Sequence, residues 1–150
     1  MIGWNRQNSS RPKRFFWPPG PPESILVSLP AFADHPAILV LCTCPEESVA
    51  LDIARVLVKE GLAGCVNRLP QVGSVYRWQG QLCEELEQLL VIKTTPSRYQ
   101  ALEMRLKTLH PYEMPEIIAI PVVAGSRPYL AWLAAPEDVA DPNLPSVHRP

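Results

Sequence analysis

The stretch from Ala63 to Thr95 constrains this chain more than any other. It is two long strand-like runs, "AGCVNRLPQVGSVYRW" and "QLCEELEQLLVIKT", with only Gln79 and Gly80 between them. A two-residue connection that ends in glycine makes a tight β-hairpin. Bends are expected at Pro70 and Gly73. Each arm spans up to ~50 Å at about 3.3 Å per residue. A hairpin of that length needs further strands beside it, and something to cover the part they do not reach.

The flanking segments supply those strands. "AILVLCTC" (37–44) is short, apolar and bounded by prolines, and reads as a strand buried on both faces. Pro45, Glu46 and Glu47 then open a helix, with proline in the first turn and acids at the positive end of its dipole. Val49, Ile53, Val56 and Leu57 share one face of that helix, and Gly61 ends it. After the hairpin, Ser97 and Gln100 suggest a capping box for a second helix, whose apolar face is Tyr99, Leu102, Leu106 and Leu109. Pro111 stops that helix. "IIAIPVV" (117–123) is a last short strand, and Ser126 opens a short amphipathic helix, "YLAWLAA".

The resulting order is β-α-β-β-α-β plus a terminal helix. It predicts an α+β fold, a ferredoxin-like sandwich with an antiparallel sheet. Right-handed crossovers fix the strand order as 4-1-3-2. The end of strand 1, the hairpin tip and the "LHPYEMPEII" loop (109–118) then lie at one end of the sheet. Cys42 and Cys44 come to the same rim as His110, Tyr112, Glu113 and Glu116, while Lys93 falls at the opposite end.

Residues 1–36 and 136–150 are rich in proline and lack periodicity, so they are expected to be disordered flanks of a domain over 37–135. The basic "RPKRFF" and the "AFA" before Asp34 suggest a signal peptide, but prolines and Glu23 interrupt the apolar region that one needs. The net charge of −1, with acids and bases intermixed, gives no basic stripe for nucleic acid and no polybasic membrane patch. No apolar run approaches the roughly 20 residues of a membrane-spanning helix. Cys42, Cys44, Cys65 and Cys83 have no CxxC spacing and read as reduced thiols, so a cytoplasmic protein is expected. No glycine-rich phosphate loop is present, and a strand-embedded thiol without oxyanion donors is a poor nucleophile, so no enzymatic activity is expected.

The unpartnered hairpin overhang, with Val72, Val75, Tyr76 and Trp78, and the exposed edge strand both call for a closed homo-oligomer. At this level of detail "LVLCTCPEESVALDIARVLVKEGLAGCVNRLPQVGSVYRWQGQL", "LLVIKT", "LHPYEMPEIIAIPV" and "YLAWL" together resemble the CutA divalent-cation tolerance proteins. The resemblance implies a cytoplasmic homotrimer associated with tolerance of copper and other divalent cations. It places a copper-ligating cysteine at Cys42 and the second of two ligating histidines at His110. The first histidine position is Leu109 here, and Cys44 adds a C-x-C that the family pattern does not require.

Two cysteines two apart on a strand face the same way, and such a pair suits a soft ion such as Cu(I). His110 completes an S/N set with a further position open to Glu116, Glu113 or water. The same residues also have plainer uses. Cys42 and Cys44 suit core packing, His110 suits a helix exit, Glu116 suits pairing with Arg77, and Trp78 suits an interface anchor. The expected function is therefore metal-ion binding by a homotrimer, with copper or another divalent cation as its cofactor. A PII-like small-molecule or signalling trimer and a highly stable scaffold are the alternatives.

Overall fold

The computed structural model describes residues 33–135. The expected flanks, 1–36 and 136–150, lie outside that range except for residues 33–36. The chain runs β1 (Ile38–Cys44), α1 (Glu47–Lys59), β2 (Cys65–Trp78), β3 (Gln81–Thr94), α2 (Tyr99–Leu109), β4 (Ile118–Pro121) and α3 (Arg127–Ala134), with a 3-10 turn over Pro96–Arg98 before α2. The four strands form one sheet in the order β2-β3-β1-β4, with every neighbouring pair antiparallel. This is the ferredoxin-like α+β sandwich that the order of elements predicts.

Both long helices cover the same face of the sheet. Ile38, Val40, Cys42 and Cys44 of β1 alternate inward and join Leu90 and Ile92 of β3, Ile53 and Leu57 of α1, and Leu102 and Leu106 of α2 in one buried cluster. Each fully buried aliphatic side chain contributes about 1.5–3 kcal/mol. The inward face of α1 is Ala50, Ile53, Ala54 and Leu57, with Val49 and Val56 at its margins. That helix ends in a left-handed turn at Gly61, φ 68°. Gly61 N–H donates to the Val58 carbonyl at 3.1 Å and Leu62 N–H to the Leu57 carbonyl at 2.9 Å, which satisfies the last carbonyls of the helix.

Three local expectations change. The capping box does not form. The 3-10 turn carries the chain into α2, so Ser97 sits before the first helical turn, and its hydroxyl meets that of Thr95 at 3.0 Å instead. The hairpin does not bend at Gly73, which pairs in register with Leu86. Its one irregularity lies between Leu69 and Val72, where Pro70 and Gln71 together oppose Gln88, and Gln71 takes φ 57°. Proline brings no N–H to the ladder, so a bulge there loses little pairing.

The third change concerns β1, whose expected burial on both faces holds within this chain on one face only. Its buried residues alternate with half-buried ones. By register Leu39 and Leu41 share the helix-free face with Ile118 and Ile120 of β4, which are 50% and 42% exposed. At the hairpin, Gln79 (φ 52°) and Gly80 (φ 79°) make the tight turn. β1 pairs only with residues 88–94 of β3, so the distal half of the hairpin, 81–87, is held by β2 alone.

Candidate metal centre

The sheet topology brings the C-terminal end of β1 against the loop that leaves α2. His110 follows the last residue of α2, and its N–H still donates to the Leu106 carbonyl at 2.9 Å. Pro111 then forces an extended backbone at His110 (φ −76°, ψ 136°), which turns the side chain back across β1. The result is a buried cluster. Donor atoms of Cys42, Cys44 and His110 all lie within 4.8 Å of one another, and no other set of three or more such side chains converges in this way among the described residues. Both cysteines are 0% exposed and His110 is 7% exposed.

Each member of the cluster already has a local partner. His110 Nε2 lies 2.8 Å from the Thr43 carbonyl oxygen, so Nε2 carries the proton and donates it. Its Nδ1 accepts the Tyr112 N–H at 3.1 Å. The imidazole is thereby fixed in one tautomer with both nitrogens engaged. The Cys42 thiol faces the Thr43 carbonyl at 3.8 Å. Its hydrogen bond to Cys44 and then burial push the Cys42 thiol up, with the negative field of Glu116 and Glu87 adding to this. The same hydrogen bond pulls Cys44 down, against burial. One sulfur of the pair thus holds its proton more tightly than the other.

The set suits a soft ion. Two thiolates at ~2.3 Å from a tetrahedral centre stand ~3.8 Å apart, within the separation that the fold imposes. Deprotonated sulfur supplies the affinity, and the buried, apolar setting favours an ion that sheds its water readily. His110 reaches the ion only by releasing either the Tyr112 amide or the Thr43 carbonyl. Leu109, next to His110 in the chain, packs against the core and brings no ligand to the cluster.

Glu116 stands outside this converging set. Together with Glu113 it lines a cleft on the helix-free side of the rim, along with Tyr76 and Trp78. Arg77 donates to the Gly80 carbonyl at 3.4 Å, within its own turn. At the opposite end of the sheet, Lys93 donates to Asn67 and lies 3.7 Å from the Cys65 sulfur. The four expected interface residues divide between the faces of the hairpin. Val72, Tyr76 and Trp78 point to the helix-free side and Val75 to the other.

Sequence reasoning missed two residues of this region, Glu85 and Glu87. They sit two apart in "CEELEQ" on the face that carries Tyr76, and Glu87 is 5% exposed with its carboxylate accepting the Tyr112 hydroxyl at 3.3 Å. The period of two was the available signal. It marks a shared face, but not that the face is enclosed.

Fold and site together define a ferredoxin-like α+β protein with a buried cysteine–histidine cluster at one end of its sheet. The chain belongs to the CutA1 divalent ion tolerance protein family, whose model matches residues 38–136. It is 52% identical over 95 residues to the divalent-cation tolerance protein CutA of Thermus thermophilus, covering 63% of this chain and 92% of that protein. It is 47% identical over 100 residues to the human protein CutA, covering 66% of this chain and 56% of that protein. Among solved structures, the divalent cation tolerance protein of Thermus thermophilus superposes with a TM-score of 0.64 at 50% identity, covering 65% of this chain and 95% of that one. A protein of Archaeoglobus fulgidus described as periplasmic superposes with a TM-score of 0.63 at 30% identity, covering 65% of this chain and 94% of that one.

Proposed function

We propose that this protein binds copper, or another soft or divalent cation, at Cys42, Cys44 and His110, and that it works as a cytoplasmic homotrimer. The reading is carried by one observation, the convergence of two buried thiols and an imidazole within 4.8 Å. Cys42 and Cys44 are the main ligands and His110 a weaker third, because its nitrogens are already engaged. Glu116 acts from the rim by its charge.

Assembly is supported by what the chain leaves uncovered. The helix-free sheet face is apolar, with Ile118 and Ile120 half exposed, and Val75, Leu82 and Leu86 of the hairpin are 66%, 68% and 70% exposed. Surfaces of this kind mark contact with another protein surface. Further copies of the chain cover the sheet face and pair the β2 edge in a closed ring. The four cysteines are free thiols, which suits a reducing compartment.

Anaerobic titration with Cu(I) against a competing chelator tests the site. Cys42→Ser lowers affinity at least about a hundredfold, since even outer-shell partners of metal ligands are worth 10–100-fold. Cys44→Ser lowers it measurably and His110→Ala less. Wild-type affinity in all three variants, or no copper bound by the unmodified protein, would refute the assignment.

A further inference from the structure

The donors that converge at the end of β1 are too few for a divalent ion. Zn(II) takes four ligands in a tetrahedron, and Cu(II) takes a tetragonal set of nitrogens and oxygens. The cluster offers two sulfurs, Cys42 and Cys44, and one imidazole whose Nε2 and Nδ1 are engaged by the Thr43 carbonyl and the Tyr112 amide. No carboxylate completes the set. Glu116 and Glu87 act on the Cys42 thiol through their field and bring no oxygen to the converging atoms.

Neither solvent nor a neighbouring copy supplies the missing ligands. Both thiols are 0% exposed. A buried water is held by about three polar partners, and every buried side-chain nitrogen and oxygen among the described residues already has a partner within the chain. The two sulfurs lie on the side of β1 that packs beneath α1 and α2, in the cluster that holds Leu90, Leu102 and Leu106. The face proposed for assembly is the opposite one, so a second copy adds no donor here.

We propose that the Cys42–Cys44 pair is selective for a monovalent thiophilic cation, Cu(I) or Ag(I), held by its two sulfurs, and that the folded chain rejects divalent ions there. The inference rests on the metal site proposed above and narrows the ions that it takes. Soft monovalent ions are satisfied by two sulfur donors and give up their water readily. Divalent thiophilic ions such as Cd(II) also bind free thiolates, but only where solvent or other side chains fill the rest of the shell. The selectivity therefore comes from the enclosure of the pair, and the same two cysteines outside the fold do not have it.

The test compares the full chain, in its native assembly, with the synthetic peptide Leu41–Ser48, which carries the same Cys-x-Cys in water. The protein carries Cys65→Ser and Cys83→Ser, so that only the two site thiols remain of its four. Ag(I) and Cd(II) are titrated anaerobically against competing chelators, and thiolate-to-metal absorption is read. The protein binds Ag(I) at least as tightly as the peptide does. It binds Cd(II) at least about a hundredfold more weakly than the peptide, since two ligands are missing and even an outer-shell partner is worth about 10–100-fold. Should the double variant fail to fold, the unmodified protein is read by difference against Cys42→Ser/Cys44→Ser. X-ray absorption of the protein with one equivalent of Ag(I) shows two sulfur neighbours. Cd(II) bound as tightly as by the peptide, or a four-ligand shell around Ag(I), overturns the selectivity and leaves the metal site standing. Failure of the protein to bind either ion overturns the site and the selectivity together.

Discussion

His110 is held at three points, by its own N–H to Leu106, by Nε2 to the Thr43 carbonyl and by Nδ1 from the Tyr112 amide. Its first role is to join the exit of α2 to the end of β1. Replacement by alanine leaves the Thr43 carbonyl and the Tyr112 amide without these partners, at a cost of about 1–3 kcal/mol each. Urea unfolding of His110→Ala is therefore expected to show a loss of at least that size with the slope of the transition unchanged. A second residue-scale prediction concerns Arg105, whose guanidinium grips Glu60 through two bonds of 2.8 and 2.7 Å. The hydrogen bond to Arg105 holds the Glu60 carboxyl below its ordinary value. A depressed carboxyl stabilises the fold above its unfolded value of about 4.3 and loses that contribution as pH falls through the folded one. Wild type and Arg105→Ala are thus expected to differ modestly at pH 7 and to converge below about pH 4, in denaturation midpoints measured at low salt.

At the scale of elements, two glycines fix how helices end and dock. Gly61 takes the left-handed conformation that closes α1, and an alanine there costs about 1 kcal/mol, to be read by thermal unfolding. Gly64 has a different reason. A Cβ at this position would lie 2.6 Å from Leu133 Cδ1, so any larger residue has to displace the buried Leu133 side chain by which α3 docks. Arg98 secures the same helix by donating to the carbonyls of Leu133 and Ala134 at 3.2 and 2.9 Å. Gly64→Val is expected to release α3 while the sheet stays folded. Hydrogen exchange would then quicken in residues 127–134 and stay slow in β1 and β3, and uniform quickening would contradict local docking.

For the whole molecule, the decisive feature is that both long helices cover one face of the sheet and leave the other without either. Apolar side chains on the open face, and the hairpin beyond the reach of β1, ask for neighbours of the same kind. Ile118→Asp and Trp78→Arg each place a charge where an interface would bury it, at a cost of several kcal/mol. Either variant is expected to lower the mass measured by light scattering at micromolar concentration. Val75→Asp probes the opposite face of the hairpin separately. A monomeric unmodified protein would contradict the homotrimer outright.

The sequence by itself determined the elements, their order and the turn chemistry, because these depend on neighbours a few residues apart. The turn at Gln79 and Gly80, the stop at Gly61 and the apolar alternation in β1 act within that range. It also placed Cys42, Cys44 and His110 on one rim, because handed crossovers and strand direction leave few ways to arrange four strands. Only the tertiary structure decided the rest. Whether the imidazole nitrogens are already bonded depends on Thr43, 67 residues away in the chain. That Val75 parts from Tyr76 and Trp78, and that Glu87 is enclosed beside Tyr112, follows from strand register and from a loop folded over the sheet. Such facts are set by which surfaces meet, and a pattern of residue types along one chain does not carry that information.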